Sequence, residues 1–483
     1  MIGAGITGIA AAIRMAVGGY RVTVFERGSD PGGKMSEIKE QGYRFDKGPT
    51  VLTRPDLIEE LFEISGSLPD EEWSYQKVDP IFNYFFEDGI TISSHSDLDK
   101  FGQEVANKIG VDPSKLKAFL KSASRINELT EEVFLHRSLH QFKNYLNKET
   151  LRGVLNFGDV DVFRTMNEAN SKAFSDSKLT DIFNRYASYN GSNPYLAPAT
   201  LNVIAHYEIN LGTYFSIGGM QSVVTALVSV AKKIGVHFSF NTQIECLLHN
   251  SRRITGLNTA NASHDFDVYV NSTDVDFFYQ NLLPEAIRPS RILNQPMSSS
   301  VIVFYWGIKG THDKLGLHNM FLTEDSKAEY EHIRDGKLYR DPTIHLTVSS
   351  KYNTDDAPEG CENWAALISV PHDSGQDWDD LVNAARKSML DKLSRLLGED
   401  ISAQIEFESV QTPRSLESDT VAWKGAVFGK SSNSKFSAFL RHPNFSKQFK
   451  NLFFCGGTVH PGAGVPLCLL SAKIATEMAL ETK

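Results

Sequence analysis

Three glycines at the start of the chain, Gly3, Gly5 and Gly8, have the spacing of a loop that receives a diphosphate. In such a loop the first glycine permits a tight turn, the second lets the backbone approach phosphate oxygens, and the third lets the next helix lie close to a sheet. Thr7 sits between the last two, where free N–H groups and the helix dipole favour an anion. Glu26 follows about 20 residues on, and its carboxylate can accept from ribose hydroxyls and would repel a 2′-phosphate. Arg27 comes directly after it. The expected chemistry is the binding of a dinucleotide.

Two further groups of residues point to the same ligand. Pro31-Gly32-Gly33-Lys34 places adjacent glycines, which allow close backbone approach, beside a cation that can meet phosphate or carboxylate. At the far end, NLFFCGGTVHPGAGVPLCLLSAKIATEMAL reads as a buried strand, a glycine-rich loop and an apolar helix. Gly456, Gly457, Gly462 and Gly464, with Val465 and Pro466 opening the helix, form a second place for N–H groups to meet an anion or the edge of a flat ring. His136 and His140 are four apart on an expected helix, but no carboxylate or thiol completes a zinc set, and no metal is expected.

The elements that must position these residues follow from the pattern around them. Met1 and Ile2 read as a strand end, an apolar helix follows, and Arg21 to Phe25 is a second strand, which makes a βαβ unit. A first strand of two residues is shorter than the usual length of about five, so residues upstream of Met1 are expected to be missing from this numbering. Gly218-Gly219-Met220 opens a helix with Val223, Val224, Leu227, Val230 and Ala231 on one side. Asp79 to Asn210 carries helical patterns and reads as a lid; Leu116, Phe119, Leu120, Ala123 and Ile126 form one face, either core or a substrate entrance.

Composition narrows the class. With 483 residues the chain should form two or three subdomains. A balance of 49 basic against 59 acidic residues, net −10, argues against a nucleic-acid partner. Cys246, Cys361, Cys455 and Cys468 are scattered, as suits reduced thiols used for packing in a cytosolic protein. No run reaches the roughly 18 apolar residues of a spanning helix, and no cleavable leader is visible. The 30 phenylalanines leave room for an exposed greasy entrance on a membrane surface.

Several motifs together resemble the carotenoid desaturase family of phytoene desaturase-like flavoproteins. They are the GG-[RK] signature at Gly32-Gly33-Lys34, the passage GYRFDKGPTVLT (42–53) with Gly48, Pro49 and Thr50, the stretch 191–238 with its NP and GGM elements, and HPGAGVP (460–466). The GPTVLT form is nearest to the hydroxycarotenoid 3,4-desaturase branch. The resemblance implies an α/β fold of the amine-oxidase-like superfamily, in which a Rossmann-like FAD-binding domain carries an inserted mixed-sheet substrate domain and a helical lid. It implies FAD as cofactor, held in part by a final strand-loop-helix that docks back on the first domain. The expected organisation is FAD-binding segments at 1–78, 211–290 and 411–483, lid and substrate domain at 79–210, and substrate-domain sheet at 291–410.

The implied reaction introduces a C=C bond into an acyclic or monocyclic carotenoid by hydride transfer to flavin N5 with loss of a proton. The 3,4 bond of a 1-hydroxycarotenoid is the expected site; phytoene desaturation and amine or amino-acid oxidation are the alternatives. Asp176 aligns with an acid that precedes the family's NP motif, which makes it a candidate proton acceptor, although Thr180 stands where an arginine is expected and SDSKLTD also reads as a helix cap. Glu208 is the other candidate, with an ion pair or a hydrogen bond to ribose as equal readings. Arg54 occupies a position that is usually apolar in the family. The implied partners are a hydrophobic carotenoid, a peripheral membrane surface on the cytoplasmic side, and oxygen or a quinone as electron acceptor.

Overall fold

The structure is a computed structural model that describes residues 1–145 and 156–482. The two-residue strand end at the start becomes the middle of a parallel sheet. Ile2 bridges Phe25 on one side and Asn271 on the other. Thr23–Phe25 pairs onward with His237–Ser239, and Tyr269–Asn271 with Leu452–Phe454, all in parallel. Parallel neighbours need long crossovers, so this layer draws on distant parts of the chain. Helices Ile6–Val17, Met220–Lys233 and Val465–Leu480 bury Ile9, Ile13, Leu227 and Leu470 in one core with Val24 and Val270 of the strands. All five expected apolar positions of the Met220–Lys233 helix, Val223, Val224, Leu227, Val230 and Ala231, are buried.

A second sheet has seven strands in the order Ile405–Gln411, Ser300–Lys309, Cys361–Val370, Ile344–Val348, His318–Phe321, Phe82–Phe85, Thr91–Ser94. Side chains alternate across it, as the pleat requires. Phe304, Trp306, Trp364 and Ile368 pack against Met389 and Leu393 of helix Trp378–Leu397, while Val303, Tyr305, Leu367 and His345 face a large cavity. The lid reading of 79–210 therefore needs correcting at its start. Phe82–Phe85 and Thr91–Ser94 form a hairpin that joins the sheet by parallel pairing with His318–Phe321. Aromatic and β-branched residues on both sides of the Asp88-Gly89 turn favour strands there, and Gly89 takes φ +81°.

Beyond the hairpin the described residues of this region form helices and their connections. Asp97 and Asp112 cap helices Leu98–Ile109 and Pro113–Phe134 by accepting from backbone N–H groups in the first turn. Leu116, Phe119, Leu120, Ala123 and Ile126 are buried, so this face is core. Arg54 joins two distant segments, with one guanidinium nitrogen 2.9 Å from Asp56 and another 2.8 Å from Glu131 of the long helix. His136 and His140 do not share a helix, because the helical pattern ends at Phe134; His140 Nε2 lies 3.2 Å from the Phe439 carbonyl. Among the described residues no cluster is suited to a metal, the four thiols are free, and no helix is long and apolar enough to cross a membrane.

Candidate cofactor and substrate site

The glycine motifs converge. Gly5 bridges Gly32 in parallel fashion, so the first loop and the Gly32-Gly33 turn touch. A Cβ added at Gly5 would meet nothing nearer than the Gly32 oxygen at 3.8 Å, which leaves its open side to a ligand. Gly8 differs: a Cβ there would lie 2.1 Å from the Gly3 oxygen and 2.6 Å from Ser272 Oγ, so this glycine serves helix packing. Glu26 organises the loop by accepting from Ala4 N–H at 2.8 Å and Gly28 N–H at 2.9 Å, and each carboxylate oxygen keeps acceptor capacity for a hydroxyl.

The closing segment arrives at the same place. Gly3, Gly5, Thr7, Glu26, Arg27, Gly32, Gly33, Lys34, Gly48, Pro49, Thr50, Gly457, Gly464, Val465 and Pro466 all line one cavity of about 1120 Å³. Gly8 and Gly456 do not line it. Gly456 has φ +121° and donates its N–H to Ser471 Oγ at 3.1 Å, which sets the path of the loop behind the wall. Lys34 Nζ donates to the Val427 carbonyl at 2.7 Å, and burial lowers its pKa.

One member of this wall was not singled out from the sequence. Asp274 caps helix Val275–Asn281 through Oδ1, while its Oδ2 is buried without a hydrogen-bond partner. Burial, with Asp276 adding to it, raises the carboxyl to about 6, although Lys34 pulls the other way. The signal was available: Ser272-Thr273-Asp274 follows a parallel strand, at the carboxyl edge where such folds bind ligands. An open glycine surface, a carboxylate with spare acceptor capacity at Glu26 and an orphaned carboxylate oxygen at Asp274 along one wall fit FAD.

Much of the remaining cavity wall comes from the seven-stranded sheet and from helices Pro113–Phe134 and Ser177–Asn184. Val303, Leu367, His345 and Met320 stand side by side across four strands. Thr50 Oγ1 and Thr347 Oγ1 meet at 3.2 Å, which joins the glycine-rich side to this floor. Burial pushes His345 down to about 3, so it is neutral.

Glu208 lies on a π-helical turn, His206–Asn210, closed by Leu211 N–H to the His206 carbonyl at 3.0 Å. Only 1% exposed, it accepts from Arg185, from Tyr186 OH at 2.8 Å and from Tyr189 OH at 2.6 Å. The Arg185 guanidinium lies 4.2 Å from the Phe82 ring centre and 4.4 Å from that of Tyr186. Of the readings open for Glu208, the ion pair is the one observed. Asp176 is a correction: it caps helix Ser177–Asn184, accepting Leu179 N–H at 2.9 Å, and it is not part of the cavity wall. The local cap preference of Asp before Ser-Lys-Leu explains the placement. Asp181 in the same helix lines the cavity instead, and nothing local in the sequence marks it.

Comparison with known proteins agrees with this geometry. Residues 6–480 match the model of the flavin-containing amine oxidoreductase family. The chain is 42% identical over 485 residues to a 1-hydroxycarotenoid 3,4-desaturase of a Flavobacterium species, covering 100% of this chain and 99% of that protein. It is 28% identical over 508 residues to a phytoene desaturase of Fusarium fujikuroi, covering 100% and 89%. Cyclohexylamine oxidase from Brevibacterium oxydans has the same fold, with a TM-score of 0.64 at 12% identity over 100% of this chain and 98% of that one.

Proposed function

The chain belongs to the flavin-containing amine oxidoreductase family and is an FAD-dependent oxidoreductase; from that premise we propose that it desaturates an acyclic or monocyclic carotenoid, at the 3,4 bond of a 1-hydroxycarotenoid. The observation that carries this reading is the cavity. At about 1120 Å³ it exceeds the usual ligand pocket of roughly 300–1,000 Å³, and it runs from the glycine loops to the lid over a largely apolar floor.

Bound FAD supplies the hydride acceptor in this reaction. The glycine loops would hold it, and the floor around Val303 and Leu367 would keep an alkyl C–H bond against it. A polyene spreads the developing positive charge along its own length, so the wall needs few charged groups. Glu208 already accepts from three donors and its charge is balanced by Arg185. With Asp176 off the cavity, the proton passes to water.

A peripheral membrane location on the cytoplasmic side, with oxygen or a quinone as final acceptor, belongs to the same proposal. Phe163, Phe436 and Phe439 border the cavity and are 77%, 57% and 44% exposed. Lys435 lies over the rings of both Phe163 and Phe436, so the rim joins apolar surface to a cation suited to anionic lipid.

The test is to supply purified holoenzyme in liposomes with a 1-hydroxycarotenoid, phytoene or an amine. A red shift of the hydroxycarotenoid spectrum is expected. A red shift with phytoene alone would move the substrate to the less unsaturated chain, and hydrogen peroxide released with the amine alone would overturn the desaturase reading.

A further inference from the structure

Along strand Ile344–Val348 the cavity floor changes character. Thr347, beside Thr50, and Thr343 are four residues apart, roughly 13 Å at about 3.3 Å per residue. At the Thr343 end the wall turns polar. Thr343 is held by Glu329, through its N–H at 2.7 Å and its Oγ1 at 2.8 Å. Helix Ser326–Arg334 adds Ser326 and Tyr330, and helix Ser177–Asn184 adds Asp181.

These groups form an ordered chain. Ser326 Oγ donates to Asp181 Oδ1 at 3.1 Å, which leaves it to accept from Tyr195 OH at 2.8 Å. Among the described residues nothing hydrogen-bonds to Asp181 Oδ2 or to the Tyr330 hydroxyl, and both residues line the cavity. An acceptor and a donor are thus left over inside a chamber that is otherwise largely apolar.

We propose that Asp181 and Tyr330 form a subsite for an alcohol at one end of an otherwise hydrocarbon substrate, the alcohol O–H donating to Asp181 Oδ2 and its oxygen accepting from Tyr330. This rests on the desaturase reading and adds how the substrate end is recognised. An alcohol offers one donor and acceptor lone pairs, which match the two leftover groups. A carboxylate end would face Asp181 and Glu329 and be repelled. A hydrocarbon end would leave both polar groups covered and unpaired, which is the costly case. The electrostatics support the roles: burial raises the Asp181 carboxyl to about 6, and burial together with Glu329, Tyr195 and Asp181 raises the Tyr330 phenol, so Tyr330 keeps its proton.

The experiment compares kcat/KM for two linear polyenes that differ only in a terminal tertiary alcohol, using flavin-loaded enzyme in liposomes. The wild type should favour the alcohol by at least about 30-fold, the lower bound when two covered polar groups both go unpaired. Tyr330→Phe and Asp181→Leu should each lower that preference, mainly through the KM of the alcohol. Tyr330→Phe keeps the ring, so it still tests the subsite where Asp181→Leu fails to fold. Equal use of both polyenes by the wild type, or an unchanged preference in Tyr330→Phe, would overturn the subsite and leave the desaturase reading standing. Turnover of neither polyene by the wild type would instead refute that reading itself.

Discussion

The same substitution made at two glycines three residues apart should fail in two different ways. At Gly5 the backbone has φ −69° and ψ 170°, which alanine adopts freely, and the added Cβ would find its nearest neighbour at 3.8 Å. Gly5→Ala should therefore leave the apoprotein as stable as the wild type, or up to about 1 kcal/mol more stable, because the unfolded chain loses freedom. Its methyl group occupies the side left open for the diphosphate, so FAD affinity should fall by about 100-fold, close to 2.7 kcal/mol. At Gly8 the Cβ would lie 2.1 Å from the Gly3 oxygen, and backbone cannot step aside as a flexible side chain can. Gly8→Ala should cost the apoprotein roughly 1–3 kcal/mol or more by forcing the first helix off the sheet. Flavin content read from the visible spectrum, FAD titration, and urea unfolding of the apoproteins separate the two effects. Full FAD affinity in Gly5→Ala, or apoprotein destabilisation matching that of Gly8→Ala, would refute the assignment of Gly5 to the ligand and Gly8 to packing.

Three further outcomes follow from the same geometry. Glu208→Ala leaves Arg185 charged and buried, and should lower stability by about 3–5 kcal/mol in urea unfolding, with Glu208→Gln milder; an unchanged midpoint for the alanine variant would refute the buried pair. Asp274, with a carboxyl near 6 against 3.8, binds its proton more tightly when folded, so its contribution is full below pH 3.8 and is lost as pH rises through 6. Asp274→Asn apoprotein should match the wild type near pH 4 and exceed it by up to about 3 kcal/mol at pH 7.5, and parallel pH profiles would sink the idea. Phe436→Ser with Phe439→Ser should weaken sedimentation with anionic liposomes by about 10-fold or more while flavin content holds, since each exposed ring contributes roughly 1.5–3 kcal/mol when buried; equal sedimentation would remove these rings from the membrane rim.

What could be read from the sequence was whatever depends on neighbours along the chain. The glycine spacing, the acid after the second strand, the apolar face of Met220–Lys233 and the closing strand-loop-helix each obey a local rule, because turn dihedrals, helical periodicity and capping are set within a few residues. Even the cap reading of Asp176 was visible in SDSKL, and local preference prevailed over its use as a base. The two-residue first strand is too short to identify by itself, and only pairing with Phe25 and Asn271 shows it as the sheet's centre.

The tertiary structure decided everything that needs partners from afar. The hairpin at 82–94 belongs to the large sheet because His318–Phe321 offers an edge more than two hundred residues later, an event with no local trace. Glu208 is an ion pair rather than a free base because Arg185 and two tyrosines meet it, and a buried charge takes the partner that packing supplies. Asp181 faces the cavity, while Asp176 on the same helix does not, because Ser326 comes from another element to hold it there. Local rules fix which backbone shapes a segment can take; which side chains end up sharing a low-dielectric pocket is settled only when distant segments pack together.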